Sequence, residues 1–101
     1  METREVAYFT AVAEELHFGR AAERLGITQP PLSRAVARLE RRMGVRLLER
    51  TSHSVALTPA GLVFLDECHR LLQALDDAVR RARQAAHPAR IVLAVDRKSV
   101  V

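Results

Sequence analysis

Residues 18–44 read FGRAAERLGITQPPLSRAVARLERRMG, and they hold two helical patterns separated by Gly26. The first pattern covers residues 18–25, where one stripe is apolar. The second covers about residues 28–43, with apolar residues at spacings of four, three and four. Glycine adopts the positive φ of a sharp turn at little cost, so Gly26 suits the connection. The stretch therefore predicts two helices joined by a tight turn.

The start of the second helix is marked by polar and proline residues. Thr28 is a predicted N-cap, whose hydroxyl would accept a hydrogen bond from a backbone N–H of the first turn. Pro30 and Pro31 cost little there, because the N–H groups of a first turn have no partner within the helix. Gly44 ends the helix.

The outer surface of this helix carries groups that recognise nucleic acid. Glutamine pairs bidentately with adenine, arginine pairs with guanine, and an apolar ring can contact the thymine methyl group. A helix N-terminus also favours phosphate. The residues with these properties are Gln29, Pro30, Pro31, Ser33 and Arg34. They predict that the first turn of this helix enters the major groove of DNA.

Other roles for the same residues stay open. Arg34 suits a guanine contact, a phosphate contact or a solvated side chain, and Ser33 suits phosphate better than a base because a hydroxyl discriminates poorly. Phosphate contact and simple solvation are equally supported for Arg4, Arg20, Arg38 and Arg42.

The segments on either side complete the pattern. Residues 3–16 predict an amphipathic helix with Val6, Phe9, Ala13 and Leu16 on its buried side. In residues 45–58 the helical spacing of apolar residues gives way to an alternating pattern. Apolar residues alternate there around a polar tip, which predicts a β-hairpin packed on the helices; they are Val45, Leu47, Val55 and Leu57.

A long helix is predicted to begin at Thr58-Pro59 and to run to about Ala86, before His87-Pro88. The apolar stripe of this helix is longer than the small domain could cover. The part left over would be exposed to water, which indicates a partner helix. The predicted contact residues are Phe64, Cys68, Leu71, Leu72, Leu75 and Val79. Cys68 suits simple packing there better than redox sensing. Residues 91–95 suggest one strand.

Composition limits the classes of function. The chain has 101 residues and a net charge of +4, and eight arginines face three glutamates between residues 18 and 58. A polyanionic partner is expected. The single cysteine excludes an intrachain disulfide, and the four histidines show no metal spacing. No apolar run is long enough for a membrane span. We expect a cytoplasmic protein without enzyme activity, metal or cofactor.

Five motifs occur in order along the chain, and together they resemble the LysR-type transcriptional regulators. They are YFxxVAE at residues 8–14, FxxAAxxL at 18–25, QPxLSxxVxxLE at 29–40, GVxLLxR at 44–50 and LTxxG at 57–61. The resemblance implies a mainly α fold. Three helices and a two-stranded β-hairpin wing would form a winged helix-turn-helix, followed by a long dimerisation helix.

The resemblance also implies an organisation and a partner. Residues 1–58 would form the DNA-binding domain, 59–86 the linker helix, and 87–101 a hinge with the start of a truncated effector domain or a foreign tail. A homodimer would read an interrupted palindrome in double-stranded DNA. The helix at about 28–43 would lie in the major groove and the wing at 46–57 at the minor groove.

By the same resemblance, Gln29, Pro30, Ser33 and Arg34 fall on base-proximal positions and Arg50 on the wing. Two positions depart from the family pattern. His53 stands at the wing tip, where relatives usually have arginine, and Gly19 stands where serine or threonine commonly helps to start the helix. The full set of predicted DNA contacts is Arg20, Thr28, Gln29, Pro30, Pro31, Ser33, Arg34, Arg38, Arg50 and His53.

Two other functions fit the same patterns. A winged helix whose long apolar helix docks another protein would show the same helical stripes. A DNA binder indifferent to sequence would show the same charge. The charged segment and the polar start of the helix at about 28–43 favour DNA binding over the protein-interaction module. The DNA binder indifferent to sequence stays open, and it predicts equal affinity for scrambled duplexes.

Overall fold

The computed structural model describes residues 2–86, and it contains four helices and one hairpin in the predicted order. The elements are α1 (Thr3–Glu15), α2 (Phe18–Leu25), α3 (Gln29–Met43), β1 (Leu48–Arg50), β2 (Val55–Leu57) and α4 (Pro59–Ala85). The predicted fold class, a mainly α winged helix-turn-helix followed by a long helix, is confirmed. The predicted strand at 91–95 and the segment 87–101 lie outside the described residues.

The core lies where the first three helices meet the wing. Its fully buried large side chains come from α1, α3, the start of the wing and α4, so no single element forms a core alone. They are Phe9, Val12, Leu32, Val36, Leu39, Leu47, Leu48 and Cys68. Ala21 and Ala22 are also buried, and their small size allows α2 to approach its neighbours closely. The phenyl rings of Phe9 and Phe64 lie 5.2 Å apart at a tilt of 50°.

The helix boundaries follow local chemistry closely, with one exception. Gly26 ends α2 with φ of 72°, the left-handed conformation that the tight turn requires. Thr58 caps α4, because its hydroxyl accepts the backbone N–H of Gly61 at 2.9 Å. Thr28 occupies the N-cap position of α3 but makes no side-chain hydrogen bond there, so the predicted cap is wrong. The prolines in the first turn remove two of the N–H groups that such a cap would satisfy.

The end of α1 differs from the prediction. Leu16 was expected on the buried stripe, but α1 ends at Glu15 and Leu16 takes a left-handed backbone with φ of 51°. Its side chain is 43% exposed. The turn that leads into α2 therefore overrides the helical spacing at this residue.

The hairpin is shorter than its hydrophobic pattern. Leu48 pairs with Leu57 and Arg50 pairs with Val55 in an antiparallel register. Val45 is 42% exposed, whereas Leu47 and Leu48 are consecutive and both fully buried. The predicted alternation of Val45 and Leu47 is therefore wrong, because the chain crosses the core at these two leucines before the strand begins.

Within residues 2–86 the chain divides into two units, and the boundary between them lies between Arg70 and Leu71. The first unit includes the start of α4, which carries the buried Cys68. The second unit contains the rest of α4, where Leu71, Leu75 and Val79 are 56%, 46% and 42% exposed. Among the described helices, none has both the length and the apolarity that a membrane crossing requires.

Candidate nucleic-acid interface

The first turns of α3 present a polar surface outside the core. Leu32, Ala35 and Val36 face the core and are buried. The other residues at the start of α3 face solvent. Thr28, Gln29, Pro30 and Arg34 are exposed, and Pro31 and Ser33 are partly exposed. The helix therefore presents the predicted contact residues of its first turns on its solvent side, with hydrogen-bonding groups next to a helix N-terminus. Their role as DNA contacts stays a prediction.

The start of α2 lies beside Gln29, and a histidine organises it. The Nδ1 atom of His17 accepts the backbone N–H of Arg20 at 2.9 Å, which caps α2. A Cβ at Gly19 would lie 2.9 Å from the His17 ring and 3.5 Å from the Gln29 amide nitrogen. The absence of a side chain at Gly19 therefore leaves room for both. Sequence reasoning missed His17 as a cap, although an imidazole nitrogen is an available acceptor just before a helix.

Arg20 lies at the edge of this region. Its guanidinium donates to the backbone carbonyl of Glu15 at 3.3 Å, and its Nε lies 3.7 Å from the Glu15 carboxylate. The side chain is 59% exposed. Arg20 therefore remains accessible from solvent while it contacts the end of α1.

Arg50 is the last residue of β1, where it pairs with Val55 next to the tip of the wing. Its guanidinium carbon is 4.5 Å from the centre of the Phe18 ring, a cation–π contact between β1 and α2. Its Nη2 atom lies 3.9 Å from the Glu40 carboxylate. These contacts make Arg50 a link between elements as well as a surface cation. His53 is exposed at the tip, where its backbone N–H donates to the Thr51 hydroxyl at 3.1 Å.

Glu40 joins α3 to the wing, and sequence reasoning gave it no role. Its Oε2 atom accepts the backbone N–H groups of Leu47 and Leu48 at 2.7 and 3.1 Å. The side chain is only 12% exposed. Because β1 begins at Leu48, this carboxylate sets where the wing leaves α3. The signal was the family motif itself, which ends at Glu40.

Replacing Glu40 with glutamine should lower the free energy of unfolding by about 2 kcal/mol, since charged acceptors make stronger hydrogen bonds than amides. Urea unfolding followed by circular dichroism measures this. Glu49→Gln is the matched control, because Glu49 is exposed on the neighbouring strand. Equal midpoints for the two variants would contradict the proposed link.

Glu5 makes a second link, between α1 and α3. Its side chain is 8% exposed and accepts a hydrogen bond from the Arg42 guanidinium at 2.5 Å. Arg38 Nε lies 3.9 Å from the other carboxylate oxygen. The Arg42 hydrogen bond holds the pKa of Glu5 below its usual range, although burial raises it. Glu5 is therefore ionised at neutral pH, and it holds two arginines beside α3.

A third carboxylate joins α1 to α2 and to the first turns of α4. Glu14 accepts a hydrogen bond from Arg24 at 2.6 Å and contacts His69 Nε2 at 2.5 Å. Burial raises the pKa of Glu14, but the hydrogen bonds to Arg24 and His69 outweigh it and keep the pKa below its usual range. These contacts join α1, α2 and α4 within the first unit. Arg24 therefore has a structural role, because its guanidinium is paired with Glu14 and Glu15.

The residues predicted for a partner helix fall into two groups. Phe64 and Cys68 lie within the first unit, where Phe64 contacts Phe9 and Cys68 is fully buried. Burial raises the pKa of the Cys68 thiol, which favours the unreactive protonated form. Leu72 is partly buried, and the exposed members are Leu71, Leu75 and Val79. Within residues 2–86, no three metal-binding side chains come together.

The sequence model of the family described as bacterial regulatory helix-turn-helix proteins, lysR family, matches residues 3–62 of this chain. The chain belongs to this family.

Two lysR-family relatives illustrate the match. The chain is 55% identical over 84 residues to the uncharacterised HTH-type transcriptional regulator YnfL of Escherichia coli K12, covering 83% of this chain and 28% of that protein. It is 50% identical over 86 residues to the HTH-type transcriptional regulator AlsR of Bacillus subtilis 168, covering 85% and 28%. The chain thus spans just over a quarter of the length of these relatives.

Solved structures of lysR-family domains superpose closely. The crystal structure of the BenM DBD with catB site 1 DNA matches with a TM-score of 0.84 and 44% identity, covering 86% of this chain and 97% of that one. The CbnR DBD–DNA complex matches with a TM-score of 0.82 and 42% identity, covering 86% and 100%. The matched proteins are transcriptional regulators, and both of these structures contain DNA.

Proposed function

We propose that this chain is the DNA-binding part of a LysR-type transcriptional regulator, and that it binds double-stranded DNA sequence-specifically as a homodimer. One observation carries the proposal. The first turns of α3 present Gln29, Pro30 and Arg34 to solvent, on a domain that matches the BenM DBD in its DNA complex with a TM-score of 0.84.

In this proposal α3 lies in the major groove, where a helix fits and each base pair presents its own pattern of donors and acceptors. Gln29 and Arg34 contact base edges. Pro30 and Pro31 offer apolar contact, and Thr28 and Ser33 contact the backbone near the helix N-terminus. Arg20 approaches phosphate from α2.

The wing at residues 46–57 approaches the minor groove. His53 is exposed at its tip, and a histidine is attracted to the minor groove less strongly than an arginine would be. Arg50 contributes its charge from the end of β1 next to the tip, and its side chain is 32% exposed. We therefore assign most of the sequence discrimination to α3.

The proposed dimer forms through α4. Leu71, Leu75 and Val79 recur at spacings of four along α4 and are exposed in the single chain. A second copy of this helix would remove them from water. Two domains held in this way read an interrupted palindrome, because the two-fold symmetry of the protein is mirrored in its site. A regulator of this kind acts in the cytoplasm at the nucleoid, and it is not an enzyme.

Selection of bound duplexes from a random pool at moderate salt tests the proposal. We expect enrichment of an interrupted palindrome. A protein-interaction module would bind no duplex. A DNA binder indifferent to sequence would bind without enrichment, and either result would contradict the proposed function.

Arg34→Ala should weaken binding to the selected duplex by about 10- to 100-fold, since a bidentate base contact contributes about 1–3 kcal/mol of discrimination. It should also relax the preference at one position of each half-site. Arg81→Ala, which removes the same charge from an exposed position on α4, is the control. Fluorescence anisotropy titrations measure both. Equal losses would show that Arg34 acts only through its charge.

A further inference from the structure

We propose that a basic recess between α1 and α3 holds a phosphate of the DNA backbone, and that the buried Glu5 positions its arginines. The recess is lined by Arg4, Tyr8, Arg38 and Arg42 around Glu5. This inference rests on the proposed DNA binding, and it assigns a further phosphate contact on the side of α3 opposite the wing.

The recess lies along one flank of α3. Pro31, Ala35, Arg38 and Arg42 line it, and their spacings of four, three and four place them on one stripe of the helix. Arg34 precedes Arg38 by one turn. The flank therefore borders the surface proposed to face the bases, and it continues from that surface toward α1.

The opposite flank of α3 has a recess of matching chemistry. It is lined by Arg41, Arg46 and Arg50, with Glu40 among them. A helix with its side chains is about 10–12 Å wide and the major groove is about 12 Å wide, so a helix in the groove meets a backbone strand on each flank. Two basic recesses, one around Glu5 and the other around Glu40, match the two strands.

The contacts of Glu5 explain how the α1 recess is organised. Arg42 is committed to Glu5 through its hydrogen bond of 2.5 Å. Arg38 lies at 3.9 Å from the same carboxylate and keeps 52% of its side chain exposed, so its guanidinium is held in place and still accessible. Arg4 is exposed on α1, and the Tyr8 hydroxyl adds a neutral donor at the wall.

The balance of charge in the recess suits a phosphodiester. Three arginines and two carboxylates, Glu2 and Glu5, line it, which leaves one net positive charge. A backbone phosphodiester carries one negative charge. Glu5 is a positioning residue in this account, because its carboxylate contacts the arginines and not the DNA.

Salt titrations of the 101-residue chain on the selected duplex and on a scrambled duplex test the proposal. Arg38→Gln should reduce the slope of log K against log salt concentration by about 1.8 for the dimer, because each of its two copies loses one phosphate contact that contributes about 0.9. The reduction should be equal on both duplexes, because a backbone contact carries no sequence information. Arg38→Lys should restore most of the slope. Arg70→Gln, on exposed α4 surface paired with Asp66 and Glu67, should leave it unchanged.

The positioning role of Glu5 is tested in a double variant with Arg38. Arg38→Gln should change the slope less in a Glu5→Gln background than in the wild type, because Arg38 is then no longer held beside the recess. Thermal unfolding of each variant checks that the domain is folded, and Arg4→Gln gives an independent test of the recess without touching Glu5. Unchanged slopes for both Arg38→Gln and Arg4→Gln would overturn the proposal.

The source of the phosphate is resolved by two further measurements. A neutral methylphosphonate at one flanking position of the duplex should weaken the wild type and leave Arg38→Gln unaffected. Inorganic phosphate, compared with chloride at matched ionic strength and without DNA, should give no specific rise in Tm. A phosphate-specific rise with unchanged slopes would assign the recess to a free anion and overturn the proposal. Absence of binding to any duplex would instead overturn the proposed function as well.

Discussion

Gly61→Ala is expected to lower the free energy of unfolding by about 3 kcal/mol, because there is no space for a side chain at this position. A Cβ built on Gly61 would lie 2.0 Å from the backbone carbonyl oxygen of Leu47. Alanine normally stabilises a helix relative to glycine. The close approach of α4 to the start of the wing reverses the sign of this substitution.

The surroundings of Gly61 prevent an easy relaxation. The Leu47 carbonyl accepts the backbone N–H of Thr58 at 3.0 Å. The Thr58 hydroxyl donates to the carbonyl of Arg46 at 2.7 Å and accepts the N–H of Gly61 at 2.9 Å. Moving either strand or helix to admit a methyl group would break this set of hydrogen bonds, and each broken bond leaves a partly buried group without its partner.

Thermal and urea unfolding measure the effect, and for a domain of this size the loss corresponds to a fall in Tm of about 15 °C. Gly19→Ala is the matched comparison. A Cβ there would lie 2.9 Å from an atom of the His17 ring, and a side chain moves more readily than backbone. We expect Gly19→Ala to change stability by less than about 1 kcal/mol. Similar losses for the two variants would contradict the proposed role of Gly61.

Leu75→Glu is expected to convert the proposed dimer to monomers. A glutamate in an apolar helix pair places a charge where no partner is available, and we expect a loss of about 3 kcal/mol, on the order of 100-fold in the dimer dissociation constant. DNA affinity should fall with it, because each half-site is then bound alone. Leu75 is 46% exposed in the single chain, so the substitution should leave the domain folded.

Sedimentation velocity and anisotropy titrations with the selected duplex measure the two consequences. Gln73→Glu adds the same negative charge to an exposed position on the other side of α4 and is the control. Leu71→Glu should reproduce the effect of Leu75→Glu. A dimer that persists in both leucine variants would exclude this surface of α4 as the interface.

Much of the architecture was predictable because the signals are local. The helix predicted at residues 18–25 is observed as Phe18–Leu25, and the helix predicted from Thr58-Pro59 begins at Pro59. Helical period, a glycine in a tight turn and proline in a first turn act through neighbours in the chain. The predictions for Leu16 and Val45 are wrong because the apolar pattern continues past the end of the element, and the pattern alone does not show where the element ends.

The contacts that organise the candidate site were not predictable in this way. Glu5 meets Arg42 across 37 positions, and Glu40 meets the N–H groups of Leu47 and Leu48 around the end of its own helix. In the sequence these carboxylates look like the exposed Glu23 and Glu49. Only the packing of α1 and the wing on α3 decides which carboxylates are removed from water.

The sequence by itself determined the helix-turn-helix, the outward face of α3 and the long apolar helix, since each depends on residue type and spacing along one segment. The tertiary structure decided which arginines are held by a buried carboxylate, that Cys68 and Phe64 belong to the first unit, and that Gly61 admits no side chain. These properties depend on distances between segments far apart in the chain, which are set when the segments bury their apolar faces together.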